Sequence, residues 1–600
     1  MSLPDRKGSV RKRGLRRIRG GRSDLIVAAG YLALAVTVLS GQWRNTQSGY
    51  LIKSGQDQTM WEWFFAVTAH SVADLENPLG TDLQNFPAGV NMMANTAMFG
   101  VGVPLTPITL LFGPTVTFVL VLTLGSSGTA FAWYWLFSRE LVDSRLAAAI
   151  GGVFCGFAPA MISHANAHPN FVALMLLPII AGLLIRMARR ATIVVDAGDG
   201  KPRRRIRDAV VLGLLVAMQI ALGEEPLLIF ALAFGLFAVV YYLHAPRTGV
   251  RVLRALVPTV ALAAVVTVML TEIPLWWQFF GPQSYRSIDH GPMGNDLKAI
   301  VQFPSESLGG MFAPGQYVAI NETEQNAYFG WPLLLLLSVT AAMLWRARVV
   351  RAAAAVIAVF GVLSLGAVAM LGKQSTGIEL PWHWAEQVPL LNTVLETRLT
   401  MAAIPAIAVI LALATDRAVA SWQRSAGDWK PLAWFAALAL ALLPLVPTVL
   451  PVTTRTPTPE FFTDGTVRDY VSGGSVVMVP PPRPADAQAL RWQADANFDF
   501  PLAGGYFVGP TGTTKKGIYG PETRPTTALL VQAQDTGTVP AIDADARAQA
   551  LDDLRFWLAD VVVLPSTKNT DVLRTTMTQL LGAAPTRVDD VWLWDVRTLR

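Results

Sequence analysis

Leu25-Ile-Val-Ala-Ala-Gly-Tyr-Leu-Ala-Leu-Ala-Val-Thr-Val-Leu39 carries no charge. It follows closely on Arg6, Lys7, Arg11, Lys12, Arg13, Arg16, Arg17, Arg19 and Arg22. A basic segment before an apolar run reads as a first membrane helix whose leading end stays in the cytoplasm against anionic lipid. A cleaved signal peptide starts the same way. Here no A-x-A site follows and apolar runs continue down the chain, so the run reads as an uncleaved first span. A nucleic-acid arm is the other use of such a charge block; the adjoining apolar run argues against a nucleic-acid partner.

The rest of the chain repeats the pattern. Of its 600 residues 52% are hydrophobic and 15% charged, against about 25% charged in soluble domains. That balance excludes a disordered protein and argues strongly against a wholly soluble one. A bilayer core takes about 20 apolar residues per helix. Eleven runs qualify: 24–41, 115–137, 146–162, 170–187, 209–223, 226–243, 252–271, 330–345, 352–371, 400–415 and 431–450. The stretch 98–112 is broken by Gly100, Gly102, Pro104 and Pro107 and reads as re-entrant or interfacial. With residues 1–23 inside, the cytoplasmic segments hold 28 Lys and Arg and the outer loops before residue 451 hold 6. That asymmetry sets the orientation. The fold class expected is an α-helical polytopic membrane protein of about 11 transmembrane helices.

Three regions follow: a basic cytoplasmic N-terminus, 1–23; a transmembrane domain, 24–450, with a large first outer loop, 42–114, and a second at 272–329; and an extracytoplasmic domain, 451–600. Pro447, Pro451, Pro457 and Pro459 mark the linker. Beyond it, strands at 476–479, 561–564 and 591–596 alternate with helices at 543–558 and 570–581, which predicts a small α/β domain. The lone cysteine, Cys155, lies in an apolar run and offers neither disulfide nor zinc cluster.

The chemistry gathers on one side. On this topology His70, His164, His168, His290 and His383 face outward, and only His244 faces the cytoplasm. The first loop sets Asp57, Glu62, Asp74, Glu76 and Asp82 among Trp61, Trp63, Phe64 and Phe65. An acid beside apolar surface is tuned as a base or binds a cation. Glu224 and Glu225 cap a tight hairpin between two spans, a costly pair unless a cation, an arginine or a proton compensates it; a solvated turn has the same composition. His164 and His168 have the i, i+4 spacing that places two rings on one helix face, suited to a metal or a phosphate. Arg398 opens the tenth span, where a guanidinium either holds a lipid phosphate or snorkels to headgroups. The second loop adds Glu272, Asp289, His290, Asp296, Glu322 and Glu324. Gly509-Pro-Thr-Gly-Thr-Thr-Lys-Lys-Gly517 lacks P-loop spacing.

Six stretches stand out: Gly55-Gln-Asp-Gln-Thr-Met-Trp-Glu-Trp-Phe-Phe65, Asn85-Phe-Pro-Ala-Gly-Val-Asn-Met-Met-Ala-Asn-Thr96, Leu110-Leu-Phe-Gly-Pro114, Gly156-Phe-Ala-Pro159 with His164 and His168, Gly223-Glu-Glu225, and Gly504-Gly-Tyr-Phe-Val-Gly-Pro510. Together they resemble bacterial membrane proteins of the GT-C superfamily of glycosyltransferases. The resemblance implies transfer of a sugar from a polyprenyl-phosphate donor to an envelope glycan, lipid or protein on the outer face of a bacterial plasma membrane. It makes Asp57 the first-loop acid, which would be the general base or would position the acceptor, with a loop acid such as Glu322 the alternative base and Glu224 and Glu225 in the same catalytic cavity. Arg398 would bind the donor phosphate, and His164, His168, Glu62, Glu322 and Glu324 are candidate substrate contacts. Asp57, His164, His168 and Glu225 are the candidate ligands of a divalent ion, magnesium or manganese. Relatives often pair two acids where this chain has Asp57-Gln58. A transporter or flippase of lipid-linked sugars, and a non-catalytic envelope-assembly protein, are the alternative readings. The near absence of ionisable residues from span centres favours the enzyme over the transporter.

Overall fold

The computed structural model describes residues 21–193, 202–288, 293–424 and 429–599. The basic residues before Arg22, and Asp289 and His290, lie outside the described residues.

Helices dominate the first three quarters of the chain. They are α1 (Arg22–Val38), α2 (Asp57–Ala73), α3 (Pro114–Leu136), α4 (Arg145–Phe157), α5 (Pro159–His164), α6 (Leu176–Ile193) and α7 (Pro202–Leu222). There follow α8 (Glu224–Tyr242), α9 (Pro246–Phe280), α10 (Trp331–Met343), α11 (Arg348–Leu363), α12 (Ala403–Arg424) and α13 (Trp429–Leu442). Residues 98–112 form two short helices, Phe99–Gly102 and Thr106–Phe112.

The eleven runs are not eleven long apolar helices. Among the described residues five segments are long and apolar enough to cross a membrane: Pro114–Leu141, Pro169–Thr192, Glu224–Tyr242, Pro246–Phe280 and Glu396–Arg424. Shorter apolar helices cover Arg145–Phe157, Trp331–Met343 and Trp429–Leu445. The reasons are local. The run 146–162 breaks at Ala158, whose ψ of 160° is the extended conformation imposed on a residue before proline. α7 begins with Arg203, Arg204, Arg205, Arg207 and Asp208, and α1 stops at 17 residues.

α12 lies at the centre, burying Ile404, Ile407, Ala408, Ile410, Leu411 and Ala412, and it packs on α4 and α11. Its alanines let neighbouring backbones approach closely. α8 and α9 are apolar yet only 17% and 22% buried, the pattern of helices that face lipid. α9 has 35 residues and so measures about 50 Å at 1.5 Å per residue, well beyond a ~30 Å hydrocarbon core. At one end of the bundle Asp24 ties three helices together: Tyr134 donates to it at 2.5 Å, and Arg139 and Arg145 approach to 2.8 and 3.2 Å.

The C-terminal segment is an α/β unit. Eight strands matter here: β1 (Gly49–Leu51), β2 (Val452–Thr454), β3 (Ser475–Met478), β4 (Val508–Thr511), β5 (Lys516–Tyr519), β6 (Ala559–Leu564), β7 (Thr586–Val588) and β8 (Val591–Asp595). One sheet runs β7-β8-β6-β3, with β6 parallel to β3 and antiparallel to β8. Alternate residues of a strand face opposite sides, and β6 is buried on both. Val562 and Leu564 pack under the helices Pro525–Thr536, Ala544–Phe556 and Thr570–Leu581. Val561 and Val563 join the core that holds Trp61 and Phe64 of α2. A strand without a solvent face reads as a continuous apolar run, which is what Val561–Leu564 is.

This unit is joined to the first loop. β2 pairs antiparallel with β1, Tyr50 opposite Thr453. Arg455 forks onto Glu62, with both Nη atoms donating at 2.6 Å. Burial by itself would push the Glu62 carboxyl up, but Arg455, and Arg491 at 3.6 Å, hold it below its ordinary 4.5. A carboxyl lowered in the folded state contributes stability that is full above the unfolded value and is lost as pH falls through the folded one. The unfolding midpoint is therefore expected to drop as pH is lowered below about 4.5, and to drop less steeply in Glu62→Gln. Thermal unfolding across pH 3–7 in detergent, roughly the carboxylate range, checks this.

Candidate active site

A cavity of about 1480 Å³ opens between α8, α9, the first loop, the second loop and the C-terminal unit. Asp57, His168, Glu224, Glu225, Glu322, Glu324 and Arg398 all line it. Residues far apart in sequence thus converge on one space. Leu227, Leu228 and Ala231 of α8 and Leu275 and Phe279 of α9 form an apolar wall beside them. The length of α9 is what carries its last turns to this wall.

Asp57 is the first residue of α2. Its Oδ1 accepts from the Tyr506 hydroxyl at 2.5 Å and its Oδ2 lies 3.3 Å from His168 Nε2. His168 Nδ1 and His164 Nδ1 are 2.9 Å apart, so one ring donates to the other. His164 sits behind His168, fully buried and stacked on Phe171. Burial pushes it down to about 3, and it is neutral at physiological pH.

Glu324 and Glu225 share Arg398. Arg398 donates to Glu324 Oε1 from Nε at 2.9 Å and from Nη2 at 2.6 Å, and to Glu225 Oε2 from Nη1 at 2.8 Å. Its guanidinium also lies 4.5 Å over the Phe171 ring. Burial would raise the Glu324 carboxyl, but the Arg398 guanidinium above all holds it at about 2. Glu224 faces Thr96 at 3.5 Å. Glu322 is half exposed and 3.7 Å from Lys53, which also donates to Ser305.

The expected ligand set is only partly brought together. His164, His168 and Glu324 offer three ligand atoms within 4.8 Å of one another, and His164 Nε2 is buried without a hydrogen-bond partner, 3.9 Å from Glu324 Oε2. Asp57 reaches this triad only through His168, and Glu225 is turned to Arg398. Two imidazoles and a carboxylate suit manganese or zinc better than magnesium, which prefers oxygen. Glu62 does not line the cavity; it is 2% exposed against Arg455. Lys53 and Tyr506 line the cavity and are absent from the sequence-based candidates. For Tyr506 the Gly504-Gly-Tyr stretch was a signal, without a stated role.

No family model matches the chain, and no curated protein matches it. Solved structures do. The arabinofuranosyltransferase AftD from Mycobacteria superposes with a TM-score of 0.53 at 16% identity, over 97% of this chain and 42% of that one. The Archaeoglobus fulgidus oligosaccharyltransferase, tethered with an acceptor peptide containing the NVT sequon, superposes with a TM-score of 0.50 at 11% identity, over 90% of this chain and 69% of that one. The chain therefore shares its fold with these two solved structures. The chain spans about two fifths of the length of the mycobacterial enzyme.

Proposed function

We propose that this protein is a GT-C glycosyltransferase of the bacterial plasma membrane that moves a sugar from a polyprenyl-phosphate donor to an envelope acceptor on the outer face. The observation that carries the reading is the meeting of Asp57, Glu224, Glu225 and His168 in one cavity beside the apolar wall of α8 and α9. A non-catalytic scaffold has no need of that convergence. The charge asymmetry of the loops supports an inside N-terminus and an outside C-terminal unit.

The reaction needs three things. The acceptor hydroxyl must lose its proton as its oxygen attacks the anomeric carbon, and Asp57 takes that proton. The bond from the anomeric carbon to the lipid phosphate oxygen breaks, and its electron pair leaves with the phosphate. Arg398 then stabilises that charge: it spends three donors on Glu225 and Glu324 and has two of its five N–H groups left. The prenyl chain lies along Leu227, Leu228, Leu275 and Phe279. His164, His168 and Glu324 would hold a divalent ion, which supplies Lewis-acid stabilisation of the leaving phosphate when bound.

Radiolabelled polyprenyl-phosphate sugars with an envelope extract as acceptor test the reading in purified full-length protein. Transfer from one donor is the expected result, and no transfer from any donor counts against it. Chelation by EDTA is expected to lower transfer, manganese to restore it, and His164→Ala to show the same loss without restoration. Full activity in EDTA would remove the ion from the mechanism.

A further inference from the structure

We infer that Tyr506, on the C-terminal unit, is a positioning residue for Asp57, so that the active site is built jointly by the first loop and the chain's last quarter. The inference rests on Asp57 being the base and adds what aims it.

The stretches 83–95 and 502–508, both made of residues without obvious chemistry, are laced together. Leu502 N donates to Leu83 O at 2.9 Å and Phe86 N to Leu502 O at 3.0 Å. Asn85 N donates to Gly504 O at 2.8 Å. Tyr506 N donates to Gln84 Oε1 at 2.9 Å, and Asn95 both accepts from Val508 N and donates to Val508 O. The two glycines make this approach possible. Gly504 has a φ of +85°, and a Cβ on Gly505 would lie 2.2 Å from Gln84 Oε1. The lacing fixes the Tyr506 backbone, and the ring is 8% exposed, so the hydroxyl is delivered to Asp57 Oδ1 from a rigid support. His168 flanks the other oxygen at 3.3 Å. A carboxylate gripped on both sides keeps one orientation toward an acceptor hydroxyl, and misplacement of about 1 Å costs on the order of 10²-fold in rate.

The test is a double-mutant cycle in the full-length protein with the donor and acceptor above. Tyr506→Phe keeps the ring and its packing. It is expected to lower kcat by about 10- to 100-fold with the KM for donor unchanged, and to add no loss in an Asp57→Ala background. Gly505→Ala, which must push Gln84 and Tyr506 apart, is expected to reproduce the kcat loss. A Tyr506→Phe loss that multiplies with that of Asp57→Ala, or unchanged kcat, overturns the inference while leaving the base assignment standing. Full transfer by Asp57→Ala overturns the base assignment, and this inference with it. Coupling of the two substitutions in the thermal unfolding midpoint reads the contact independently of any donor; additive midpoints also overturn it.

Discussion

Asp57→Ala in the full-length protein is expected to lower sugar transfer by about 10³-fold, the middle of the range for losing a general base. The substitution should leave the fold intact. Asp57 is the first residue of its helix and lines the cavity with its side chain 16% exposed, so its removal opens no core void. Donor KM should change little, because on the proposed function the apolar wall and Arg398 would still hold lipid and phosphate. Asp57→Glu should recover part of the rate, since it keeps the base but shifts its reach. Unchanged transfer by Asp57→Ala would move the base to Glu224, Glu225 or Glu322, which line the same cavity.

Glu62→Ala is expected to be the most damaging single change to stability. It strands Arg455 with its fork unfilled, and breaking a buried ion pair from one side costs about 3–5 kcal/mol. Arg455→Ala should cost as much, and it also removes the donor to Gly49 O at 2.8 Å. The paired substitution Glu62→Met with Arg455→Met should recover most of the loss, because well-packed apolar replacements avoid the cost of burying charge. Thermal unfolding and size-exclusion profiles in detergent measure this. A Glu62→Ala protein of normal stability that has lost transfer would instead make Glu62 a substrate contact.

The contrast between these two acids shows what could be read from the sequence. Glu62 and Asp57 stand five positions apart in one aromatic-rich stretch, and nothing local separates them. Their roles diverge through partners at residues 455 and 506, and the latter is 449 positions away. Glu224, Glu225 and Arg398 were legible because each sits at a helix start beside an apolar run, where charge is conspicuous. The histidine pair was legible from spacing alone, whereas its third neighbour, Glu324, was one acid among several in a long loop. The strands at 476–479 and 561–564 declared themselves as unbroken apolar runs. Span number was overread, because hydropathy counts apolar residues and takes no account of where proline or arginine shortens the helix. The 13-residue α10 is apolar but for Ser338 and Thr340, and too short to count.

The pairing of β1 with β2 sets an order of events during synthesis. Residues 49–51 leave the ribosome about 400 positions ahead of residues 452–454, a lag of roughly 20–80 s at ordinary elongation rates. Through that interval Glu62 has no Arg455 and Asp57 has no Tyr506. On the function proposed above, a nascent chain would stay inert until the segment from residue 452 to 508 has docked on the first loop.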